Sequence, residues 1–456
     1  MRSRIFITVL VTTALVATGC SGRSNTGAGA TTAPTATTAP GEFGDLKGLC
    51  GPGSPSSSPA QGVTASQIQV GVFSDVGFTK NSEFVDAAKV FTSWCNAAGG
   101  INGRKLVANT RDTQLLAVEQ QMQVSCGQDF ALVGGGAAFD GLGVKDRLSC
   151  LLPDFPAQVV ESNNTGSDLQ FNQTSGTSYW RYPGFYKWLL QEAYPGSASS
   201  VGMIIGDSPI TKDVGPQTLE GIKNAGGTIT YNELYPVTGV SDWTPYAQAI
   251  KTKGVKGLVF NGDFTQLAKL EQVLTSIGYK LDWIDTNNNA YGAAFIQVAG
   301  ASLGFQNNVA DLGGIYPIEK ATGNPATAQV ERLYHQYAPS AQLTLPALRA
   351  FSSWLLFAKS AASCGDALTR SCLVTAAHKE TAWTGGGLQA PVDLSNPDSP
   401  LKCFNVEKAI AGGWTPADFK PDTGAYRCNE PVYKYTGTYT KPMTLADVGK
   451  SMSDLK

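Results

Sequence analysis

Histidine is nearly absent: only His335 and His378 occur in 456 residues, and they lie far apart. A histidine-rich metal centre, or a triad that needs a histidine base beside its nucleophile, has little material to draw on. Charge is also scarce. Asp, Glu, Lys and Arg make up 15% of the chain, the formal net charge is -2 and no basic stripe occurs. Nucleic acid as a partner is excluded by that absence, because its binders need clustered cations to displace phosphate counterions. No Cys-x-x-Cys pair suggests zinc or thiol redox chemistry. No Gly-x-Ser-x-Gly elbow stands between a strand and a helix, and Gly134-Gly135-Gly136 lacks the Lys and Ser/Thr of a phosphate loop. No catalytic set, metal site or cofactor is therefore expected, and an enzyme is not the leading reading. What is plentiful is apolar material: hydrophobic residues make up 42% of the chain, enough to bury cores. At ~150 residues per domain the length gives two or three units.

The first residues address the protein. Arg2 and Arg4 precede an apolar run from Ile5 to Ala17, about 13 residues and shorter than the ~18 to 20 of a spanning helix, so the pattern is that of an export signal. Ala17-Thr18-Gly19-Cys20 resembles the end of a bacterial lipoprotein signal. The resemblance implies that residues 1–19 are removed and that a lipid on Cys20 anchors the protein to the outer face of the cytoplasmic membrane. From Ser21 to about Gly62 the chain is mostly Gly, Ser, Thr, Ala and Pro, so 20–62 reads as the lipidated cysteine and a flexible leash. Setting Cys20 aside, eight of the nine cysteines remain, an even number that suits four disulfides outside the cytoplasm. Eight cysteines allow 105 connectivities. Proximity in sequence suggests Cys364 with Cys372 and Cys403 with Cys428, leaving Cys50 with Cys95 and Cys126 with Cys150. Buried free thiols are the alternative.

Strands then alternate with helices. Ile68–Phe73 reads as a strand, and Phe84, Ala87, Ala88, Phe91 and Cys95 fall at helical spacing in 83–98. A glycine-rich turn leads to a strand over 105–110, a helix over 117–125 and a strand over 130–133. The pattern restarts with strands at 200–205, 228–231 and 257–261 and helices between and after them. Repeated βα units imply parallel sheets covered on both faces. The pattern lapses around 162–182 and 311–317, which suggests crossings between two lobes: 63–182 with 311–400, and 183–310 with 401–456.

Asn96-Ala97-Ala98-Gly99-Gly100-Ile101-Asn102-Gly103-Arg104-Lys105-Leu106, followed by Arg111-Asp112-Thr113, resembles a motif of the type I periplasmic binding proteins related to the leucine/isoleucine/valine-binding protein. A weaker likeness runs from about Val63 to the C-terminus and includes Asn224-Ala225-Gly226-Gly227. The resemblance implies an α/β fold of two doubly wound lobes joined by a three-crossing hinge. It also implies a monomeric solute receptor of an ABC importer, with a small-molecule ligand and a membrane permease as partners. A ligand sensor uncoupled from transport is the alternative.

In open parallel sheets, ligands sit beyond the carboxyl ends of the strands. The candidates there are Ser74 and Asp75; Ala137, Ala138, Phe139 and Asp140; then Asp207 and Ser208, Asp263, and Asn287, Asn288 and Tyr291. Each aspartate equally suits a helix N-cap or a solvated turn. Trp180, Tyr182, Phe185, Tyr186 and Trp188 read as packing between lobes, with Tyr182 the exception that meets a ligand. Where amino-acid receptors of the resembled family place hydroxyls for a carboxylate, this chain has Ala137-Ala138-Phe139, and amides at 287–289 align with the acid that neutralises an ammonium. A buried unpaired charge costs several kcal/mol. The expected solute is therefore polar but not a standard branched-chain amino acid, unless Asp207 or Asp263 supplies the missing charge.

Overall fold

A computed structural model describes residues 39–173, 179–208, 211–236, 238–396, 399, 401–422 and 424–456. The signal segment 1–19, Cys20 and the leash up to residue 38 lie outside the described residues. Gln67 and Gln69 alternate with Ile68 and Val70 before the run becomes continuously apolar, which suits a strand covered on both faces. This is β1 (Gln67–Ser74), and it joins β2 (Lys105–Asp112), β3 (Ala131–Val133) and β4 (Asp154–Phe155) in the order β2-β1-β3-β4, all parallel. After the two-residue β5 (Trp180–Arg181), a second sheet contains β6 (Val201–Asp207), β7 (Ile229–Pro236), β8 (Gly257–Asn261), β9 (Trp283–Asp285), β10 (Asn308–Asp311), β11 (Val406–Ile410) and β12 (Gly413–Pro416). Its order is β12-β11-β10-β9-β8-β6-β7, parallel from β7 through β10 and antiparallel at β11 and β12. The architecture is the expected α/β pair of parallel-rich, doubly wound sheets. Strands β9 to β12 escape a reading by periodicity because they are three to five residues long.

The chain passes from the first sheet to the second through β5, and returns after β10. Helix Leu345–Ser363, N-capped by Thr344, lies against helix Glu83–Ala97, with the Phe91 and Trp354 rings stacked at 5.4 Å. The chain then re-enters the second sheet at β11. A further strap follows: β13 (Tyr433–Lys434) pairs antiparallel with β5, and the C-terminal residues run back toward β4. There the Leu445 N–H donates to Asp168 at 2.6 Å, and the Ser371 N–H donates to the Lys456 carbonyl at 3.0 Å. Residues 445–456 thus depart from the expected grouping of 401–456 with the second lobe. Their ends are held by Asp168, in the loop after β4, and by Ser371 of helix Arg370–Ala377.

The leash expected over 20–62 also needs correction in its described part. Phe43 and Leu49 are fully buried, and Phe43 packs 5.1 Å from Phe351. The Cys50–Cys95 disulfide ties the segment to helix Glu83–Ala97. Two apolar side chains and one covalent tie outweigh a Gly/Ser/Pro-rich composition. The other disulfides are Cys126–Cys150, Cys364–Cys372 and Cys403–Cys428, the pairing expected from sequence.

The glycine-rich turn has a physical explanation. Gly100 sits at φ +82°, and a Cβ there would lie 2.1 Å from the Arg104 carbonyl oxygen. Arg104 is buried and donates to the carbonyls of Thr64 (2.8 Å) and Gly365 (3.1 Å) and to the Asp366 carboxylate (2.7 Å). One guanidinium thereby joins three segments distant in sequence. Among the described residues no helix is long and apolar enough to cross a membrane.

Helix Phe264–Ser276 carries Glu271 into the core, fully buried and accepting only from Asn308 Nδ2 at 3.0 Å. Burial pushes its carboxyl up to about 8, so the folded state keeps a proton that the unfolded chain releases above its ordinary value. The contribution of Glu271 to stability is therefore full below pH ~4.5 and is lost as pH rises to about 8. Glu271→Gln should be more stable than the parent at pH 7.5 by roughly 2–3 kcal/mol and nearly equal at pH 4.5. Urea unfolding at both pH values checks this, and equal differences at the two would refute the assignment.

Candidate ligand-binding cleft

Parallel strands entered through crossovers end on one edge, so β8, β9 and β10 deliver Asn261, Asp285 and Asp311 side by side. Facing them are Gln158 to Thr165 from the loop after β4, the aromatic run Trp180 to Tyr186, and Arg349 from helix Leu345–Ser363. These surfaces enclose a cleft of about 450 Å³. Tyr435, next to β13, completes the wall beside Arg181.

The wall holds four charged side chains. The Asp285 carboxylate accepts from the Asn287 N–H and the Tyr186 hydroxyl, both at 3.0 Å. Burial pushes it up to about 6, against the pull of these donors. Asp311 accepts from the Gly313 N–H at 2.8 Å and the Asn405 N–H at 3.4 Å, and burial pushes it up to about 7. The Arg181 guanidinium lies 4.8 Å over the Tyr186 ring and donates to the Tyr435 hydroxyl at 3.4 Å. Burial lowers Arg349 to about 10, partly offset by Asp311, which leaves it a cation at neutral pH. Asn287 itself sits at φ +62° and ψ 150°, a region that non-glycine residues occupy only under constraint. Its Nδ2 donates to Asn261 at 3.0 Å, which with the Asp285 contact holds it there.

The residues expected from sequence divide into three groups. Tyr182, Asn287 and Asn288 line the cleft. The Tyr182 hydroxyl is also engaged, donating to the Arg427 carbonyl at 3.3 Å and accepting from the Glu430 N–H at 3.1 Å. Ser74, Asp75, Ala137 and Ala138 border an adjoining hollow of about 160 Å³ that shares Gln158 with the cleft. Asp75 works there as a tie, accepting from Thr113 Oγ1, the Leu115 N–H and the Ala138 N–H.

The remaining candidates face elsewhere. Phe139 packs beside Met122 and Leu152. Asp140 is buried and clamps the loop after β4, accepting from the Val160 and Glu161 N–H groups at 2.9 Å and from Asn164 at 3.0 Å. Asp263 is the N-cap of helix Phe264–Ser276, accepting from the Thr265 N–H at 2.7 Å, and is not among the residues that line the cleft. Asp207 ends β6 exposed, and Ser208 turns into the contact with Thr211. Tyr291 is buried and donates to Glu319 at 2.6 Å. Short polar side chains at strand ends satisfy loop backbone more often than they reach a ligand, because each loop must place its own N–H groups.

The pattern of strand ends missed Arg181, Tyr186, Asp285, Asp311 and Arg349. Two signals were available. Asp285 directly follows an apolar pair, Trp283-Ile284, and Arg349 sits among the apolar residues of the first two turns of a helix otherwise charged only at Lys359.

A family model described as "Periplasmic binding protein" matches residues 67–403. No curated protein matches the chain. Among solved structures, the chain is similar to a fatty acid ABC transporter substrate-binding protein from Thermomonospora curvata, at 18% identity and TM-score 0.63, covering 80% of this chain and 96% of that one. It is similar to a branched-chain amino acid transporter substrate-binding protein from Streptococcus pneumoniae in complex with isoleucine, at 16% identity and TM-score 0.61, covering 77% and 100%. A leucine-binding protein from Thermotoga maritima gives 10% identity and TM-score 0.62, covering 76% and 97%. Identities this low speak for the fold alone.

The division of roles within the site can be measured. Asp140→Ala strands three donors, two of them N–H groups of the loop that walls the cleft, and should cost on the order of 2–4 kcal/mol of stability, with solute affinity falling only together with that loss. Thermal unfolding and titration calorimetry on the one variant test both halves. A stable variant that has lost binding would place Asp140 in the site instead.

Proposed function

This chain belongs to the periplasmic binding protein family, and from that premise we propose that it captures a small polar solute between two hinged lobes and delivers it to an ABC permease. The observation that carries the reading is the cleft itself. Its floor is strand ends of the second sheet, its opposite wall comes from the loop after β4 and from Arg349, and the connecting segments form its sides. A guest touching both walls favours the closed arrangement by its differential contacts, and a membrane partner can read that difference.

The remaining parts of the proposal concern place and guest. Export and anchoring through a lipid on Cys20 would hold a monomeric receptor at the outer face of the cytoplasmic membrane. Four disulfides suit that oxidising compartment. The relatives named above bind ligands as different as a fatty acid and isoleucine, so the guest must be argued from this cleft. Ala137 and Ala138 offer no hydroxyl at the place where the resembled amino-acid receptors hold a carboxylate, and Asp263 is spent as a cap. A branched-chain amino acid is therefore not the proposed solute.

A thermal-shift screen against amino acids, amides, carboxylic acids, sugars and nucleosides tests capture, since a solute that binds only the folded state raises its midpoint by mass action. At least one class should do so. Asn287→Ala and Tyr182→Phe should weaken that hit, while Asp207→Ala and Asp263→Ser leave it unchanged. Tight binding of leucine, isoleucine or valine would overturn the choice of guest, and a hit indifferent to every cleft substitution would overturn the site.

A further inference from the structure

Arg349 stands apart from the other buried arginines. It is 8% exposed, yet its guanidinium makes no hydrogen bond to any described residue, and its buried Nε has no partner. Arg104 and Arg147, each 1% exposed, both donate from their Nη groups, to Asp366 and to Ser167 and main-chain carbonyls respectively, although the Arg147 Nε is likewise without a partner. The ion pairs among the described residues leave out Arg349 and Arg181, and Asp285 and Asp311 as well. Two cations and two acids thus line one cleft without an N–O contact within 4.0 Å. A desolvated cation without an acceptor costs several kcal/mol, and proteins keep such a group where something else supplies the acceptor.

Gly313, at φ +61°, lies beside Arg349: a Cβ added there would sit 3.9 Å from Arg349 Nη2 and 3.4 Å from Leu401 Cδ1, in ordinary contact with both, so the backbone leaves room next to the guanidinium. A planar guanidinium with free N–H groups matches a carboxylate, which accepts two parallel hydrogen bonds. The surrounding wall of Trp180, Phe185 and Phe260 offers faces for a flat or apolar body.

Building on the solute-capture reading, we infer that the guest is a monocarboxylate whose remainder is uncharged, and that Arg349 is the residue that holds its carboxylate. The acids across the cleft argue against an ammonium on the same molecule. Each Asp285 oxygen already accepts a hydrogen bond, from the Asn287 N–H and the Tyr186 hydroxyl, which weakens it as an acceptor for an ammonium. Asp311 spends one oxygen on the Gly313 and Asn405 N–H groups, and burial raises its carboxyl.

Paired probes that differ only at the acid isolate the claim: benzoate with benzamide, octanoate with octanamide, and 4-methylpentanoate with leucine, which adds the ammonium. Thermal shift and calorimetry should show at least one free carboxylate binding, with its amide and its ammonium-bearing analogue at least tenfold weaker. Arg349→Met should weaken that carboxylate by on the order of a hundredfold, and Arg349→Lys should restore part of the loss. The unliganded Arg349→Met protein should melt at or above the parent's midpoint, since it loses an unpartnered buried cation, and this separates lost binding from lost folding. Amides that bind as well as acids, or carboxylate affinity that survives Arg349→Met, would overturn the inference. If sugars, nucleosides or amides bind through the cleft and no carboxylate does, solute capture stands and the Arg349 assignment falls. If leucine binds tighter than 4-methylpentanoate, the guest is a zwitterion and the charge argument fails. If no solute of any class binds, both readings fall.

Discussion

A parallel strand cannot be reached from its neighbour by a tight turn; the chain must cross over a face of the sheet, usually as a helix. Every strand of a parallel run therefore ends on the same edge. In this protein that constraint brings Asn261, Asp285 and Asp311 from three separate stretches of chain onto one floor. The connections between the sheets then have to pass the same edge. They bring Arg181, Tyr186 and Tyr435 with them, and the helix returning to the first sheet brings Arg349. The cleft is a consequence of connectivity before it is a matter of any single side chain.

The same geometry accounts for the electrostatics. Strand ends beneath aromatic walls are poorly solvated, so the charged form of a carboxyl there is disfavoured. Asp285 and Asp311 rise toward neutrality despite accepting backbone N–H groups. Arginine responds differently. Its ordinary value is so high that burial lowers Arg349 only to about 10, and it stays charged where an acid does not.

The strap 430–456 extends beyond the stretch matched by the family model. Glu220 gathers the Tyr433 hydroxyl at 2.6 Å together with the Tyr439 hydroxyl and the Thr436 side chain. Those bonds outweigh its burial and hold its carboxyl down at about 2. The strap thereby fixes Tyr435 beside Arg181, and one guanidinium in the cleft is positioned by chain that lies far from it in sequence.

What the sequence determined by itself was set by local rules. Periodicity located β1, β2, β8 and the long helices, because burial repeats at the period of the backbone. Cysteine spacing pointed to the disulfides, and Gly100 with Arg104 marked a turn whose tightness only glycine permits. Tertiary structure alone decided which acids beyond the strand ends line the cleft. Asp140 and Asp263 look no different from Asp285 and Asp311 along the chain. All four accept loop N–H groups, and only where the strands lie in the sheet puts Asp285 and Asp311 on the cleft while Asp140 and Asp263 stay off it. Residues 39–62 teach the same lesson: a composition suited to a leash becomes part of the body once Phe43, Leu49 and Cys50 find partners hundreds of residues or one disulfide away. Distance in space decides such pairings, and distance along the chain does not report it.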